Sequence, residues 1–306
     1  MKGRLGRIAG RIAAQMSLIL HAHVLNPLWR PRDLRRVRRY AATRGAALGY
    51  LRRYEDDFRS IVPAPPAGGP EPERAFTIWF QGEDNAPELV RACFRSMRRN
   101  LSQEVVVLDE KSLFDWITLP DYIIEKWRAG KIRHAHFSDI CRVELLYRHG
   151  GLWLDATDYV LAPVPRQILD ADFFMFMSGS KIRGSYSFVQ NCFIRARKGD
   201  PMLGIWRAAI WKYWENEDSV INYFTHHLIF NLLTEIHPGV RRRFAQMPRI
   251  EQDPTHTLWE FYRDRPYDRE FYDDLASKAF FQKTNFKCDS AKAPAPGSIA
   301  EHMLRQ

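Results

Sequence analysis

Short apolar runs alternate with amphipathic stretches through the first half of the central chain. The runs Phe76–Phe80 and Glu104–Leu108 predict strands. Apolar residues at helical spacing predict helices from Pro87 to Met97 and from Tyr122 to Trp127. Strands that alternate with helices in this order are typical of a parallel sheet covered by helices, so the pattern predicts an α/β fold.

A longer helix is predicted for His134–His149, because apolar residues recur at three-residue steps from Phe137 to Leu146. Gly150 can adopt the left-handed conformation that ends a helix. The run Leu152–Asp155 then predicts a strand whose last residue is an acid.

The second half of the chain continues with two strand-like runs and two helical stretches. The strands are predicted at Phe173–Met177 and Ser187–Ile194. The helices are predicted around Met202–Trp214 and Val220–Ile236. The sheet is therefore expected to be mostly parallel and Rossmann-like, with helices on its faces.

Composition divides the chain into four parts. Residues 1–60 are expected to form a basic helical arm, and residues 61–74 a linker, because five prolines and two glycines between Ile61 and Pro72 prevent regular structure. Residues 75–287 are expected to form the main domain. Residues 288–306 begin with a run rich in Pro, Ala and Gly and are expected to be a flexible tail.

Positive charge is concentrated at the beginning of the chain. The net charge is +10, and residues 1–54 hold thirteen Lys or Arg against the single acid Asp33, so the remainder is slightly acidic. Apolar and basic residues at helical spacing in this arm fit a helix at an anionic membrane surface, docking onto the body or a partner, or a solvated arm. Nucleic-acid binding is not expected, because no recognition motif accompanies the charge.

The cellular location is inferred from cysteine usage and from apolar runs. The four cysteines lie far apart and form no C-x-x-C pair, which favours a reducing cytoplasm over a disulfide framework or a zinc site. The apolar run between Ile12 and Trp29 is interrupted by polar residues and is expected neither to span a membrane nor to direct export. We expect a cytoplasmic protein, with peripheral contact at the inner membrane face as one role for residues 1–54.

Candidate chemistry lies where predicted strands end. In an open α/β sheet ligands bind beyond the carboxyl ends of the strands, where Trp79 and Asp155 would both lie. Asp139 and Arg142 share one face of the preceding helix. Taken alone, that pair could be an ordinary helical ion pair, and Asp155 could be a turn residue.

The run from Ala135 to Thr157 closely resembles the signature of the capsular polysaccharide synthesis glycosyltransferases, which are related to glycosyltransferase family 32. The specific core is Ser-Asp-x-x-Arg followed by Gly-Gly-x-x-x-Asp. The resemblance extends from about residue 75 to residue 287, and includes Ile78–Gly82 upstream and Phe280–Lys283 downstream. It also extends, more distantly, to the glucosylating bacterial toxins.

The resemblance implies the nucleotide-diphosphosugar transferase (GT-A) fold and a retaining glycosyltransferase. The donor would be a nucleotide-sugar, with a UDP-sugar favoured, and the acceptor a glycan or a lipid-linked glycan in surface polysaccharide synthesis. Trp79 would stack on the base with Gln81 beside the nucleotide, and Asp139 and Arg142 would contact the ribose and the transferred sugar. Asp155 would hold Mn²⁺ or Mg²⁺ against the diphosphate, and Lys283 would bind the leaving phosphates.

The chain departs from the family pattern at two places. The third position of the Asp-x-Asp element is Thr157, and the next acid, Asp158, comes one residue late. In an extended segment Asp158 would face away from Asp155 unless a turn restored their convergence. Gln282 stands where a metal-binding His is expected. Asp155 and Asp158 are therefore the metal-ligand candidates, and metal dependence stays open.

These departures keep a second hypothesis in view. The chain could be a non-catalytic protein that binds a nucleotide-sugar or a glycan while keeping the fold. His226 and His227, on a predicted helix, could contact the acceptor, but structural roles for two histidines in an apolar helix are more common.

Overall fold

A computed structural model describes residues 43–62, 74–178, 189–286 and 294–306. The helices expected in residues 1–42 and most of the linker expected in residues 61–74 lie outside this part of the chain. None of the helices in the described residues combines the length and the apolar character that a membrane span requires.

A central sheet and a separate two-stranded sheet contain the described strands. In chain order the strands are β1 Arg74–Ile78, β2 Glu104–Leu108, β3 Gly151–Leu154, β4 Asp158–Val160, β5 Phe173–Met177, β6 Val189–Ala196 and β7 Phe281–Lys283. The central sheet has the order β2-β1-β3-β6-β5, and β4 pairs with β7.

The central sheet is mixed, although four of its five strands, β1, β2, β3 and β5, run in the same direction, as expected for a mostly parallel sheet. β1 runs parallel to β2 and β3, but β6 runs antiparallel to both of its neighbours, β3 and β5. A parallel crossover needs a dozen or more residues, usually with a helix, and the connection between Met177 and Val189 is shorter than that. The strands at Glu104–Leu108 and Phe173–Met177 have the predicted bounds.

Helices surround the sheet. Those that begin and end within the described residues are α1 Glu55–Arg59, α2 Glu88–Asn100, α3 Leu113–Trp116, α4 Asp121–Arg128, α5 His134–His149, α6 Arg166–Leu169, α7 Pro201–Asn216, α8 Thr225–Ile236, α9 Pro238–Gln246, α10 Arg269–Lys278 and α11 Ile299–Arg305. Short 3-10 turns occur at Arg52–Tyr54, Glu83–Asn85 and Asp253–His256, with a π-helical turn at Leu258–Tyr262.

Helix α5 is the element that carries the signature. Its bounds are those predicted, and the apolar residues on its three-residue steps are buried against β1, β3 and β6. Helix α8 begins later than expected. The side-chain oxygen of Asn222 accepts from the backbone N–H of Phe224 at 2.8 Å, and the backbone oxygen of Asn222 accepts from the Thr225 hydroxyl at 2.6 Å. Those bonds form a turn in place of the first helical residues.

The glycine pair that follows α5 is required by close packing of the backbone. Both glycines have positive φ, +68° at Gly150 and +93° at Gly151. A Cβ added to Gly151 would lie 2.2 Å from the Arg74 carbonyl oxygen, and one added to Gly150 would lie 2.6 Å from the Lys198 nitrogen. The pair therefore lets β3 leave the helix and lie directly beside β1.

Residues 43–62 pack on the main domain, which differs from the expected division near residue 60. Leu51 and Phe58 are fully buried in the same apolar core as the sheet. The hydroxyls of Tyr50 and Tyr54 donate to Glu217 at 2.7 Å and 2.5 Å. The last third of the expected arm is thus part of the folded body.

The chain end also differs from expectation. Within the expected flexible tail, α11 is a helix whose residues Ile299 and Met303 are fully buried, and it packs against α2. The Ser298 hydroxyl caps it by accepting from the Glu301 N–H at 3.2 Å. Ile299 and Met303 lie four residues apart and fix this segment to the core. Composition alone does not reveal this, because the residues that precede the helix are rich in Pro and Ala.

Replacing Gly151 with Ala should destabilise the protein beyond the cost of the backbone conformation alone. Gly130 provides the matched control, because its φ is +74° and an added Cβ would meet nothing within 4 Å. Both changes incur the left-handed penalty of about 1–2 kcal/mol, but Gly151→Ala adds overpacking of about 1–3 kcal/mol. Urea unfolding measures the difference, and equal losses would contradict the close-approach explanation.

Candidate functional site

A tight turn between β3 and β4 brings two acids to the carboxyl end of β3. The backbone N–H of Asp155 donates to the Cys192 carbonyl at 2.9 Å, which continues the pairing with β6. The backbone N–H of Asp158 donates to the Asp155 carbonyl at 2.8 Å, and Asp158 Oδ2 accepts from the Asp155 N–H at 3.1 Å. The turn replaces the extended geometry in which the two carboxylates would diverge.

The ammonium of Lys283 lies between these carboxylates. Lys283 is opposite Asp158 in the antiparallel pairing of β7 with β4. Its Nζ is 2.6 Å from Asp155 Oδ2 and 3.1 Å from Asp158 Oδ1. Two acids therefore share one cation.

Arg142 connects helix α5 to the same cluster. Its Nη2 lies 3.0 Å from Asp155 Oδ1 and 3.2 Å from Asp139 Oδ1. Its Nη1 donates to the Asn191 carbonyl at 2.6 Å, and the guanidinium carbon lies 4.8 Å from the centre of the Trp153 ring. Arg142 is therefore fixed by acids, a carbonyl and an aromatic ring at once.

Asp139 is held from two further directions. Asn191 Nδ2 donates to Asp139 Oδ1 at 2.8 Å, and His226 Nδ1 is 3.0 Å from Asp139 Oδ2. The indole N–H of Trp214 donates to His226 Nε2 at 2.9 Å. Since an indole nitrogen can only donate, Nε2 is an acceptor and the proton of the neutral ring resides on Nδ1, from which it is donated to Asp139.

The paired charges set the protonation states of the acids. Burial alone would raise the pKa of Asp139, but Arg142 and the hydrogen bonds from His136 and His226 outweigh it and hold the pKa well below its usual range. Burial also acts against ionisation of Asp155, yet Arg142 and Lys283 lower its pKa. For Asp158, burial dominates, and with the charge of Asp155 it raises the pKa to about 7 despite Lys283.

The histidine that supports Asp139 is neutral. Burial lowers the pKa of His226, although the Asp139 charge acts in the opposite direction. This agrees with the hydrogen-bond assignment, because a doubly protonated ring could not accept from Trp214. His136, Asp139 and His226 bring ligand-type atoms within 4.8 Å of one another among the described residues. Both His226 nitrogens are already engaged, so the group fits a hydrogen-bonded support for Asp139 better than a cation site.

The two residues expected at the nucleotide lie at the neighbouring strand end. Trp79 follows β1, its ring lies edge-on to Phe286 at 5.3 Å between centroids, and its buried Nε1 has no hydrogen-bond partner among the described residues. Phe286 comes three residues after Lys283, so Trp79 contacts the segment that carries Lys283. Gln81 is exposed, and its carbonyl accepts from Asn85 Nδ2 at 2.8 Å.

The site thus brings together most of the residues expected from the sequence. Asp139, Arg142, Asp155, Asp158 and Lys283 form one continuous network, whereas the described contacts do not join Trp79 or Gln81 directly to it. Sequence reasoning missed Asn191 and the ring of Trp153, whose N–H donates to Asp155 Oδ1 at 3.0 Å. Strand alternation places Trp153 on the same face as Asp155, but it does not indicate the hydrogen bond between them.

Gln282 and His227 have structural surroundings. Gln282 is fully buried, and its side chain accepts from the Leu258 N–H at 2.9 Å and donates to the Pro254 carbonyl at 2.8 Å. His227 is buried, and its Nδ1 has no hydrogen-bond partner in the described structure. Gln282 is therefore engaged in holding the loop after α9, away from the acids.

Comparison with known families decides the family. Residues 48–303 match the family model described as "Capsular polysaccharide synthesis protein". The chain therefore belongs to the capsular polysaccharide synthesis family. This match includes the packed segment before the linker and most of α11, which agrees with their burial in one core.

Two curated proteins are similar to this member of the capsular polysaccharide synthesis family. The O-glycosyltransferase braB of Annulohypoxylon truncatum is 24% identical over 176 residues, which are 52% of this chain and 42% of that protein. The glycosyltransferase afumC of Aspergillus fumigatus (strain CBS 144.89 / FGSC A1163 / CEA10) is 25% identical over 187 residues, 55% of this chain and 47% of that protein. The chain matches less than half the length of either relative.

Among solved structures, the chain is similar to the PaToxG glycosyltransferase. The TM-score is 0.39 at 14% identity, and the match covers 68% of this chain and 83% of that one.

The donors expected for a divalent cation do not fit one in this arrangement. The space between Asp155 and Asp158 holds the Lys283 ammonium. The third position of the element is Thr157, whose carbonyl accepts from both the N–H and the hydroxyl of Thr284 at 2.8 Å. With Gln282 engaged elsewhere, a hard cation would find few free oxygen ligands here.

Replacing His227 with Phe should make the fold less sensitive to acid. Burial lowers the pKa of His227 from 6.5 to about 4, so between these values the unfolded chain binds a proton that the folded protein does not. The stability contributed by the neutral ring is therefore complete above pH 6.5 and is lost as the pH falls towards 4. Linkage predicts that His227 lowers the free energy of unfolding of the wild type by about 2 kcal/mol between about pH 7 and about pH 5.

Urea unfolding of wild type and His227→Phe at the two pH values measures this effect. The variant serves as the reference for acid sensitivity that arises elsewhere in the chain. If both proteins lose the same stability between the two pH values, His227 does not contribute to acid sensitivity.

Proposed function

We propose that this chain is a glycosyltransferase that moves a sugar from a nucleotide-sugar, with a UDP-sugar favoured, to a glycan or lipid-linked acceptor in surface polysaccharide synthesis. The observation that carries the proposal is the network of Asp139, Arg142, Asp155 and Lys283 at the carboxyl end of β3, in a chain of the capsular polysaccharide synthesis family. The relation to family 32, the GT-A fold and transfer with retention are part of the same proposal and rest on the resemblance of the signature.

The chemistry requires fixed charges of the kind found in this network. Breaking a bond between a sugar and a phosphate places negative charge on the diphosphate and positive charge on the anomeric carbon. Preorganised cations stabilise the first, and removal of one such group typically costs a hundredfold to a thousandfold in rate, which is about 3–4 kcal/mol. Arg142 and Lys283 are cations already held in place by buried or partly buried partners.

Each residue then has a role that follows from its position. Lys283 contacts the diphosphate, Arg142 and Asp139 position the sugar hydroxyls, and Asp155 keeps both cations in place. Hydrogen bonds to hydroxyls reject sugars that lack the matching group, because a buried partner would be left unpaired. Trp79 offers an aromatic face for the base, with Gln81 beside it.

The transfer balances without a redox step. The oxygen of the acceptor hydroxyl forms a bond to the anomeric carbon, and the bond from that carbon to the phosphate oxygen breaks. The electron pair remains on the nucleoside diphosphate, and the hydroxyl proton passes to that leaving group or to water. The products are a glycoside and a nucleoside diphosphate.

Replacing Asp155 with Asn should remove most of the transfer activity, because Arg142 and Lys283 would both lose a charged partner. We expect a decrease of about a hundredfold or more in release of UDP from a UDP-sugar. The matched control is Asp274→Asn, an exposed acid paired with Lys278 at the surface. Unchanged turnover in Asp155→Asn would contradict the proposal.

A panel of UDP-, GDP- and other activated sugars, scored for hydrolysis and for transfer to glycan acceptors, identifies the donor. The same panel separates the second hypothesis, a non-catalytic protein that binds nucleotide-sugars. Saturable binding without hydrolysis or transfer for any donor would favour that hypothesis over catalysis.

We further propose that the basic segment at the start of the chain binds anionic membrane, where lipid-linked acceptors lie. Each Lys or Arg near such a surface contributes about 1 kcal/mol. Replacing Arg35, Arg36, Arg38 and Arg39 with Gln in the full chain should therefore abolish flotation with vesicles that contain phosphatidylserine.

The control for this experiment replaces four exposed arginines of the body. They are Arg166, Arg197, Arg269 and Arg305. Equal loss of flotation in the two variants would show that the charge of the arm has no special role. Flotation with neutral phosphatidylcholine vesicles should be absent in all cases.

A further inference from the structure

Lys283 occupies the place between two acids in which paired carboxylates usually hold a metal ion. Its Nζ is 2.6 Å from Asp155 Oδ2 and 3.1 Å from Asp158 Oδ1. The side chain of Asp158 is fully buried, and those of Lys283 and Asp155 are only 20% and 25% exposed. This is a built cation site, and the cation is a residue of the chain.

The remaining oxygens around this cation are already used. Asp155 Oδ1 accepts from the Trp153 indole at 3.0 Å and lies 3.0 Å from Arg142 Nη2. Asp158 Oδ2 accepts from the Asp155 backbone N–H at 3.1 Å. The carbonyl of Thr157 accepts two bonds from Thr284. A metal entering this place would have to break these bonds and expel Lys283.

On the basis of the proposed function, we propose that Lys283 supplies the charge that a divalent cation would otherwise supply between Asp155 and Asp158, so that this chain binds its nucleotide-sugar without a metal. The pairing of β7 with β4 positions the ammonium between the acids, because it places Lys283 opposite Asp158. An ammonium has three N–H donors. One of them is donated to Asp155 Oδ2, and Asp158 Oδ1 lies 3.1 Å from the ammonium, which leaves a donor for an oxygen of the diphosphate.

The arrangement also makes the ammonium and a metal mutually exclusive. A cation expelled from this place would lose both of its partners, and an unpaired buried charge is costly. Conversely, removal of the ammonium leaves two convergent carboxylates, which suit a hard divalent cation. Lys283→Ala should therefore exchange one cation for the other.

The first experiment uses Mn²⁺ alone and needs no nucleotide. The electron paramagnetic resonance signal of free Mn²⁺ is titrated against wild type, Lys283→Ala and the control Lys278→Ala, which removes an exposed lysine. We expect no Mn²⁺ site in wild type or in the control and one site in Lys283→Ala. Addition of Mn²⁺ should therefore raise the melting temperature of Lys283→Ala and of neither other protein. A wild-type Mn²⁺ site that Asp155→Asn removes, or a folded Lys283→Ala without a site, would overturn the proposal.

The second experiment measures UDP binding to the full chain by calorimetry, in EDTA and in Mn²⁺. Wild type should bind equally well in both, whereas Lys283→Ala should bind roughly tenfold or more weakly in EDTA and recover with Mn²⁺. Wild-type binding that requires Mn²⁺ would refute the proposal even if the variant does not fold. UDP that binds wild type in neither condition would instead count against the proposed donor, and the Mn²⁺ titration would still decide the cation question.

Discussion

Charged side chains at the end of β3 must neutralise one another before the fold can bury them. Removing an ion from water costs several kcal/mol even after relaxation, and only a well-placed opposite charge offsets this cost. Here acids and bases alternate: Arg142 serves Asp139 and Asp155, and Lys283 serves Asp155 and Asp158. Loss of one member removes a charged partner from each of its neighbours, so the positions of all five are mutually dependent.

A polar layer behind this network fixes its geometry. Asn191 in β6 contacts Asp139 through its side chain and Arg142 through its backbone carbonyl. His226 in α8 donates a hydrogen bond to Asp139 from Nδ1, because its Nε2 accepts from the Trp214 indole. These supports belong to helices and strands of the core. They hold the charges in advance of any ligand, which is the condition under which fixed charges act efficiently.

Local parts of this arrangement are visible in the sequence, and the tertiary parts are not. The helix His134–His149 and its glycine stop follow from spacing and backbone chemistry, and so does the acid that follows β3. Asn191 and His226 carry no comparable signal, because their contacts depend on an antiparallel β6 and on the packing of α8. The C-terminal helix was missed because its neighbours are rich in Pro and Ala, although Ile299 and Met303 have helical spacing.

The pairing of β7 also gives meaning to the order of two adjacent residues. Successive side chains of a strand point to opposite sides, so Gln282 binds the backbone around Leu258 while Lys283 meets the acids. A one-residue slip would set a positive charge against an amide donor and an uncharged amide against two carboxylates. The alternation of side chains along this three-residue strand thus decides which face of the small sheet carries the Lys283 ammonium. An insertion or deletion of one residue there would turn the ammonium away from the acids and would be poorly tolerated in evolution.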